Sequence, residues 1–244
     1  AASVELVHAS SLIHDDIVDQ AVYRRNSEAI NRAYGESIAV LAGDYVFVRA
    51  LRGVYALEHP GILGQILQVV QDMIEGEFWE EYSTQQQDFT EDRYFKIISK
   101  KTASLFGGAF QIGGMVRQAP EEELRALYQA GYAYGMAFQI LDDCMDLFDE
   151  DDGDAVRGRW SLPALYLERH GIHLSSFNGN LQELRHAVLD RGGFTFALET
   201  ARRYEEDARR WVDTIPNEAV QDGLHRFLST LSLLTRAVEV HAAS

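Results

Sequence analysis

Base is scarce in this chain. Lys and Arg number 22 against 38 Asp and Glu, giving a formal net charge of −16. That deficit argues against a nucleic-acid partner, because backbone binding depends on counterions released from phosphates neutralised by Lys and Arg. Cysteine is nearly absent: Cys144 alone excludes an internal disulfide and fits a reducing compartment. Long apolar runs are missing too. No stretch approaches the roughly 20 residues that cross a bilayer, and none has the charged, apolar, small-residue order of a signal peptide. The expectation is a cytoplasmic protein without an integral membrane segment. Strand-type alternation of β-branched residues is also rare.

What is present is apolar residues at helical spacing along almost the whole chain. They make up much of a composition that is 46% hydrophobic, enough for a substantial core in 244 residues. The pattern predicts helices near 2–22, 36–57, 61–85, 90–117, 121–149, 161–170, 179–190, 194–213 and 217–241. Breaks are expected at Gly35, Pro60, Ser83 to Asp88, Pro120, the acidic run Glu150 to Asp154, Gly171, Gly192 and Pro216. Thr90 and the Pro120–Glu121–Glu122–Glu123 run supply helix-start signals. No linker or repeat is visible, so residues 1–244 read as a single all-α domain. Residue 1 is Ala and the helical pattern is under way at once, so helices upstream of it are expected.

Two acidic clusters stand out. "LIHDDIVDQ" places Asp15, Asp16 and Asp19 at i, i+1 and i+4, and "FQILDDCMDLF" repeats the spacing with Asp142, Asp143 and Asp146. Such positions fall within about 100° of one helix face. A solvated surface face is the ordinary reading of one cluster. Two identical clusters without interleaved bases point elsewhere, since like charges on adjacent turns repel. Convergent carboxylates with no His or Cys among them suit a hard cation such as Mg²⁺, which keeps water and takes its remaining oxygens from substrate phosphates. Arg24 and Arg25, just after the first cluster, have planar forks matched to phosphate oxygens.

On these residues the chain resembles the trans-isoprenyl diphosphate synthase (polyprenyl synthetase) family. "LIHDDIVDQAVYRRN" is similar to its first aspartate-rich motif and "FQILDDCMDLF" to its second. "AVLAGDYVF", "KKTASLF" and "RWSLPALYL" follow its pattern in the same order. The resemblance implies an all-α bundle of the isoprenoid synthase type around a deep central cavity, with the aspartate motifs facing each other at its mouth, and a homodimer. It implies joining of isopentenyl diphosphate to an allylic diphosphate. Mg²⁺ would be held by Asp15, Asp16, Asp19, Asp142, Asp143 and Asp146. Lys101 would contact the departing diphosphate, Thr102 and Gln139 would lie near the allyl group, and Arg24 and Arg25 near the diphosphates. Asp44 serves either this site or an internal polar contact. Of the adjacent Lys100 and Lys101, one is expected to face solvent. Cys144 reads as a small core residue, and His8 and His14 as packing or hydrogen-bonding residues.

Product length in the family is set about one turn before the first triad. Small Ser10 and Ser11 there imply a product of C20 or longer. Gly107, Gly108, Gly113 and Gly114 either widen the same cavity or permit close helix packing. Four features depart from the family. A Gly-Lys-Arg segment that binds isopentenyl diphosphate is absent, the stretch after the second triad is short with Arg157 and Arg159 in place of lysines, and "EGEFWEEY" carries Trp79 and acids where a glutamine is usual. Asn26 stands in place of the Gly that follows the basic pair. These departures keep two other readings open: a non-catalytic subunit of a heteromeric synthase, and a diphosphate-ionising cyclase.

Overall fold

The computed structural model describes residues 1–24, 27–86, 88, 90–148 and 161–243. The acidic run after Asp146 and its flanking arginines at 157 and 159, together with Arg25, lie outside these. The described chain is built from helices, with one two-stranded ribbon and short turns between them. By its internal packing it divides into two compact units, Ala1–Val70 and Gln71–Ser244.

In the first unit, α1 (Ala2–Val18) packs along α3 (Glu36–Tyr55). Small residues set the seam. Ala39 and Ala50 are fully buried, a Cβ on Gly53 would come 2.7 Å from Ser3 Oγ, and one on Gly43 would meet the His14 ring at 2.3 Å. Ser10 closes the seam by donating to the Gly43 carbonyl at 2.9 Å.

The pattern predicts α1 to residue 22, but it stops at Val18. Gln20 takes a left-handed φ of +52°, and the Ala21 N–H turns back to the Asp16 carbonyl at 2.9 Å. Such a left-handed residue just past the end is a common helix stop. The chain then forms an antiparallel ribbon of β1 (Tyr23–Arg24) and β2 (Ser27–Glu28), with Arg24 opposite Ser27. The short α2 (Ile30–Tyr34) follows. Its Asn31 Nδ2 donates to the Asp16 and Ala21 carbonyls at 2.9 and 3.1 Å, which fixes the exposed end of α1. Helix α4 (Pro60–Gln86) begins in this unit and continues into the next.

The second unit is organised on α7 (Glu121–Asp146), which packs against α6 (Ser104–Val116), α10 (Gly193–Asp213) and α11 (Glu218–Ala243). Three glutamates at the first turn of α7 favour its positive dipole end. Gly131 and Gly135 let α6 and the turn before it approach closely: a Cβ would fall 2.5 Å from the Phe106 carbonyl oxygen and 2.7 Å from Ala103 Cα. Gly107 and Gly114 are also packing glycines, set against Tyr128 and against Leu124 with Leu127; no side chain lies within 4 Å of a Cβ at Gly113. Helix α5 (Glu91–Ile98), capped by Thr90, runs into α6 through a single π-helical turn at Ser99–Ala103. Helices α8 (Leu162–Arg169) and α9 (Leu181–Arg191) complete the unit. Cys144 is fully buried in this core.

Candidate active site

Both aspartate triads occupy helix C-termini. Asp15 and Asp16 are in the last turn of α1 and Asp19 caps it; Asp142, Asp143 and Asp146 close α7. Neither last turn carries a basic residue. The negative end of a helix dipole disfavours carboxylates, so each cluster pays twice, in mutual repulsion and in dipole opposition. A cation supplied from outside the helix relieves both terms.

In the first triad the three aspartates differ. Asp16 is 5% exposed, and its Oδ1 accepts from Arg24 Nε at 2.8 Å and also from Nη2. The ribbon after α1 turns the chain back and delivers Arg24 to this carboxylate. Asp15 is partly exposed and Asp19 exposed. Ser11 donates to the His8 carbonyl at 2.9 Å and is only half-buried, whereas Ser10 is 3% exposed and faces α3. Asp44 sits at the outside of α3, 63% exposed, with His14 Nε2 at 3.4 Å.

The second triad repeats this division. Asp142 and Asp146 are exposed, while Asp143 turns inward. Its Oδ2 accepts from Tyr94 Oη at 2.5 Å and its Oδ1 from Gln139 Nε2 at 2.8 Å; Gln139 Oε1 in turn accepts from Thr102 Oγ1 at 2.7 Å. Burial pushes the Asp143 carboxyl up to about 8, with the Tyr94 and Gln139 donors opposing the rise. Partial desolvation by its neighbours also pushes the Asp142 carboxyl up, although the residue as a whole stays exposed.

Lys100 and Lys101 both face α4, and neither points away to solvent. Lys100 Nζ lies 2.8 Å from Asp72 and 2.6 Å from Glu75, and Lys101 Nζ lies 2.6 Å from Glu77 and 2.5 Å from Glu80. The π turn presents this backbone flat against Gly76, where a Cβ would come 2.6 Å from the Lys101 nitrogen. From that contact the two side chains diverge along α4 to separate pairs of acids. The acids of "EGEFWEEY" are thus lysine partners, and Trp79 between them stacks under Lys96 Nζ at 3.4 Å and Arg93 Cζ at 4.4 Å.

Among the described residues no three acidic, His or Cys side chains gather around one point as a closed metal cage. The donor chemistry fits Mg²⁺: each triad offers carboxylate oxygens alone, and this ion binds through one or two carboxylates plus water and phosphate.

Residues 1–167 match the family described as "Polyprenyl synthetase". The octaprenyl diphosphate synthase of Escherichia coli K12 is 32% identical over 227 residues, covering 87% of this chain and 70% of that protein. The chain belongs to the polyprenyl synthetase family. The nonaprenyl diphosphate synthase of Mycobacterium tuberculosis is 35% identical over 175 residues, 69% of this chain and 52% of that protein. The crystal structure of a decaprenyl diphosphate synthase from Rhodobacter capsulatus matches with a TM-score of 0.86 and 26% identity, covering 97% of this chain and 78% of that one. The fold is therefore the all-α isoprenoid synthase fold. Family membership follows from both triads, the lysine-threonine turn and the Leu162–Pro163 step lying inside the matched segment. Sequence reasoning missed Tyr94, Asn31 and the α4 acids as neighbours of these residues, since no short-range signal links positions 94 and 143.

Proposed function

We propose that this polyprenyl synthetase condenses isopentenyl diphosphate with an allylic diphosphate to give a trans-polyprenyl diphosphate of C20 or longer. It is a prenyltransferase of the kind its relatives are named for, octaprenyl and nonaprenyl diphosphate synthases. The observation that carries the reading is the pair of aspartate triads at base-free helix C-termini within the family's motif order.

Asp15, Asp19, Asp142 and Asp146 would hold Mg²⁺, which when bound neutralises the leaving diphosphate. Asp16 and Asp143 orient the clusters from within, tied to Arg24 and to Tyr94 with Gln139. Lys101 donates to the same diphosphate, exchanging an α4 carboxylate for a phosphate oxygen. The allylic carbon–oxygen bond breaks with its electron pair on oxygen. The isopentenyl double bond attacks the allylic carbon, and a proton leaves to the released diphosphate. Ser11, small and half-buried where bulk would stop the chain, supports the longer product.

A homodimer is supported by α3. Ile38, Leu41, Tyr45 and Val48 recur at alternating three- and four-residue steps, Tyr55 follows seven residues on, and each is more than half exposed. Such a stripe is self-complementary across a twofold axis. Among the described residues no helix is long and apolar enough to cross a membrane.

Incubation with Mg²⁺, labelled isopentenyl diphosphate and primers of several lengths tests the reading. Extended prenyl diphosphates are expected. No product would indicate a non-catalytic subunit, and hydrocarbon from the primer alone a cyclase. Asp142→Asn is expected to lower turnover by orders of magnitude while the far-ultraviolet dichroism stays unchanged.

A further inference from the structure

Tyr94 has no part in the proposed reaction, yet it makes a short polar contact to the second triad. It lies on α5, 3% exposed in the core of the second unit, with Phe95 edge-on at 5.5 Å. Its hydroxyl reaches 49 positions along the chain to Asp143. We propose that Tyr94 is a positioning residue which fixes Asp143 and, through Asp143, sets the direction of the Gln139 amide and the Thr102 hydroxyl. The proposal deepens the prenyl-transfer reading and rests on it.

The Tyr94 hydroxyl donates to Asp143 Oδ2 at 2.5 Å. Asp143 has one oxygen facing Tyr94 and the other facing Gln139, and each has a partner. Gln139 turns its NH₂ toward the second Asp143 oxygen, with Nε2 2.8 Å from Oδ1. Its carbonyl oxygen is then left for Thr102, whose hydroxyl donates to it. Three elements are locked by this chain: α5, the π turn and α7. Each polar group along it has a partner.

Removal of the Tyr94 hydroxyl leaves one oxygen of a buried carboxylate without a partner, which is costly. The carboxyl group can then rotate toward Gln139, the amide loses its fixed direction, and Thr102 loses its acceptor. Tyr94 does not touch substrate. Its effect reaches the reaction only through Thr102 and Gln139, so it should alter turnover and leave diphosphate affinity alone.

Steady-state kinetics of the full chain with Mg²⁺, an allylic primer and isopentenyl diphosphate test this. Tyr94→Phe is expected to lower kcat by about tenfold or more, with KM for both diphosphates within about twofold. Thr102→Val should give a loss of similar size, and the double variant should be no slower than the slower single one, because both changes break one chain. A wild-type kcat for Tyr94→Phe, or losses that multiply in the double variant, overturns the proposal. Should Tyr94→Phe fail to fold, Asp143→Asn takes its place: it is expected to lower kcat with an unchanged Mg²⁺ requirement. A wild-type kcat there, or a Mg²⁺ requirement raised about tenfold, overturns the proposal equally. The parent reading is judged separately by Asp142→Asn, whose full activity would remove prenyl transfer through the triads whatever Tyr94 does.

Discussion

Lys101 Nζ lies 2.5 Å from Glu80 Oε2 and 2.6 Å from Glu77 Oε2. One ammonium is thereby shared by two carboxylates of α4, where the family pattern has a glutamine among these positions. A diphosphate that uses Lys101 competes with both acids. Glu80→Gln removes one competitor and keeps its size and hydrogen bonding. The expected outcome is a KM for the allylic diphosphate lowered by about threefold with kcat unchanged, since a partly exposed ion pair contributes on the order of 1 kcal/mol or less. A KM that rises in the same assay would assign Glu80 a direct role in substrate or metal binding.

The α7 seam gives a stability prediction. Gly135→Ala places a methyl 2.7 Å from the Cα of Ala103, and backbone cannot yield as a side-chain tip can. Overpacking of about 1–3 kcal/mol is expected to outweigh the roughly 1 kcal/mol that Ala gains over Gly as a helix former. Urea unfolding should show a lower midpoint, and a Gly113→Ala control, with no contact within 4 Å of its Cβ, should show none.

Ser10 and Ser11 should separate in a product-length experiment. Ser11 is half-buried and bonded only to its own helix, so Ser11→Phe is expected to fold and to shorten the product seen on reversed-phase chromatography. Ser10 is inside the α1–α3 seam against Gly43, and Ser10→Phe is expected to cost about 1–3 kcal/mol of stability. An unchanged product from folded Ser11→Phe would remove this position from length control.

The raised Asp143 carboxyl predicts a pH trend for the metal-free protein. Its pKa is about 8 in the fold against 3.8 for the free group. Between those values the folded chain holds a proton that the unfolded chain has lost, so stability falls as pH rises across the window. Asp142, also raised by partial desolvation, contributes with the same sign. In a chelator, the melting temperature is expected to decline from pH 5 to pH 9, and Asp143→Asn should make that decline shallower. Parallel slopes for the two proteins would contradict the burial of Asp143.

Much of this was set by the sequence alone. Helix α7 was expected from 121 to 149 and runs Glu121–Asp146, and α10 was expected from 194 and starts at Gly193. Periodicity, caps and breakers act within a few residues, so the order of types in the chain suffices to specify them. The same holds for the triads, whose shared face follows from 100° per residue.

Tertiary structure decided which carboxylate does what. Spacing treats Asp142, Asp143 and Asp146 alike, yet only Asp143 receives Tyr94, and only Asp16 receives Arg24. It also decided that Lys100 and Lys101 both meet α4, because a π turn and the bare backbone at Gly76 bring those elements together. Local propensity fixes the direction of a side chain relative to its own helix. Which donor arrives opposite it depends on the packing of segments distant in the chain, and that is where one acidic motif became both an outer and an inner half.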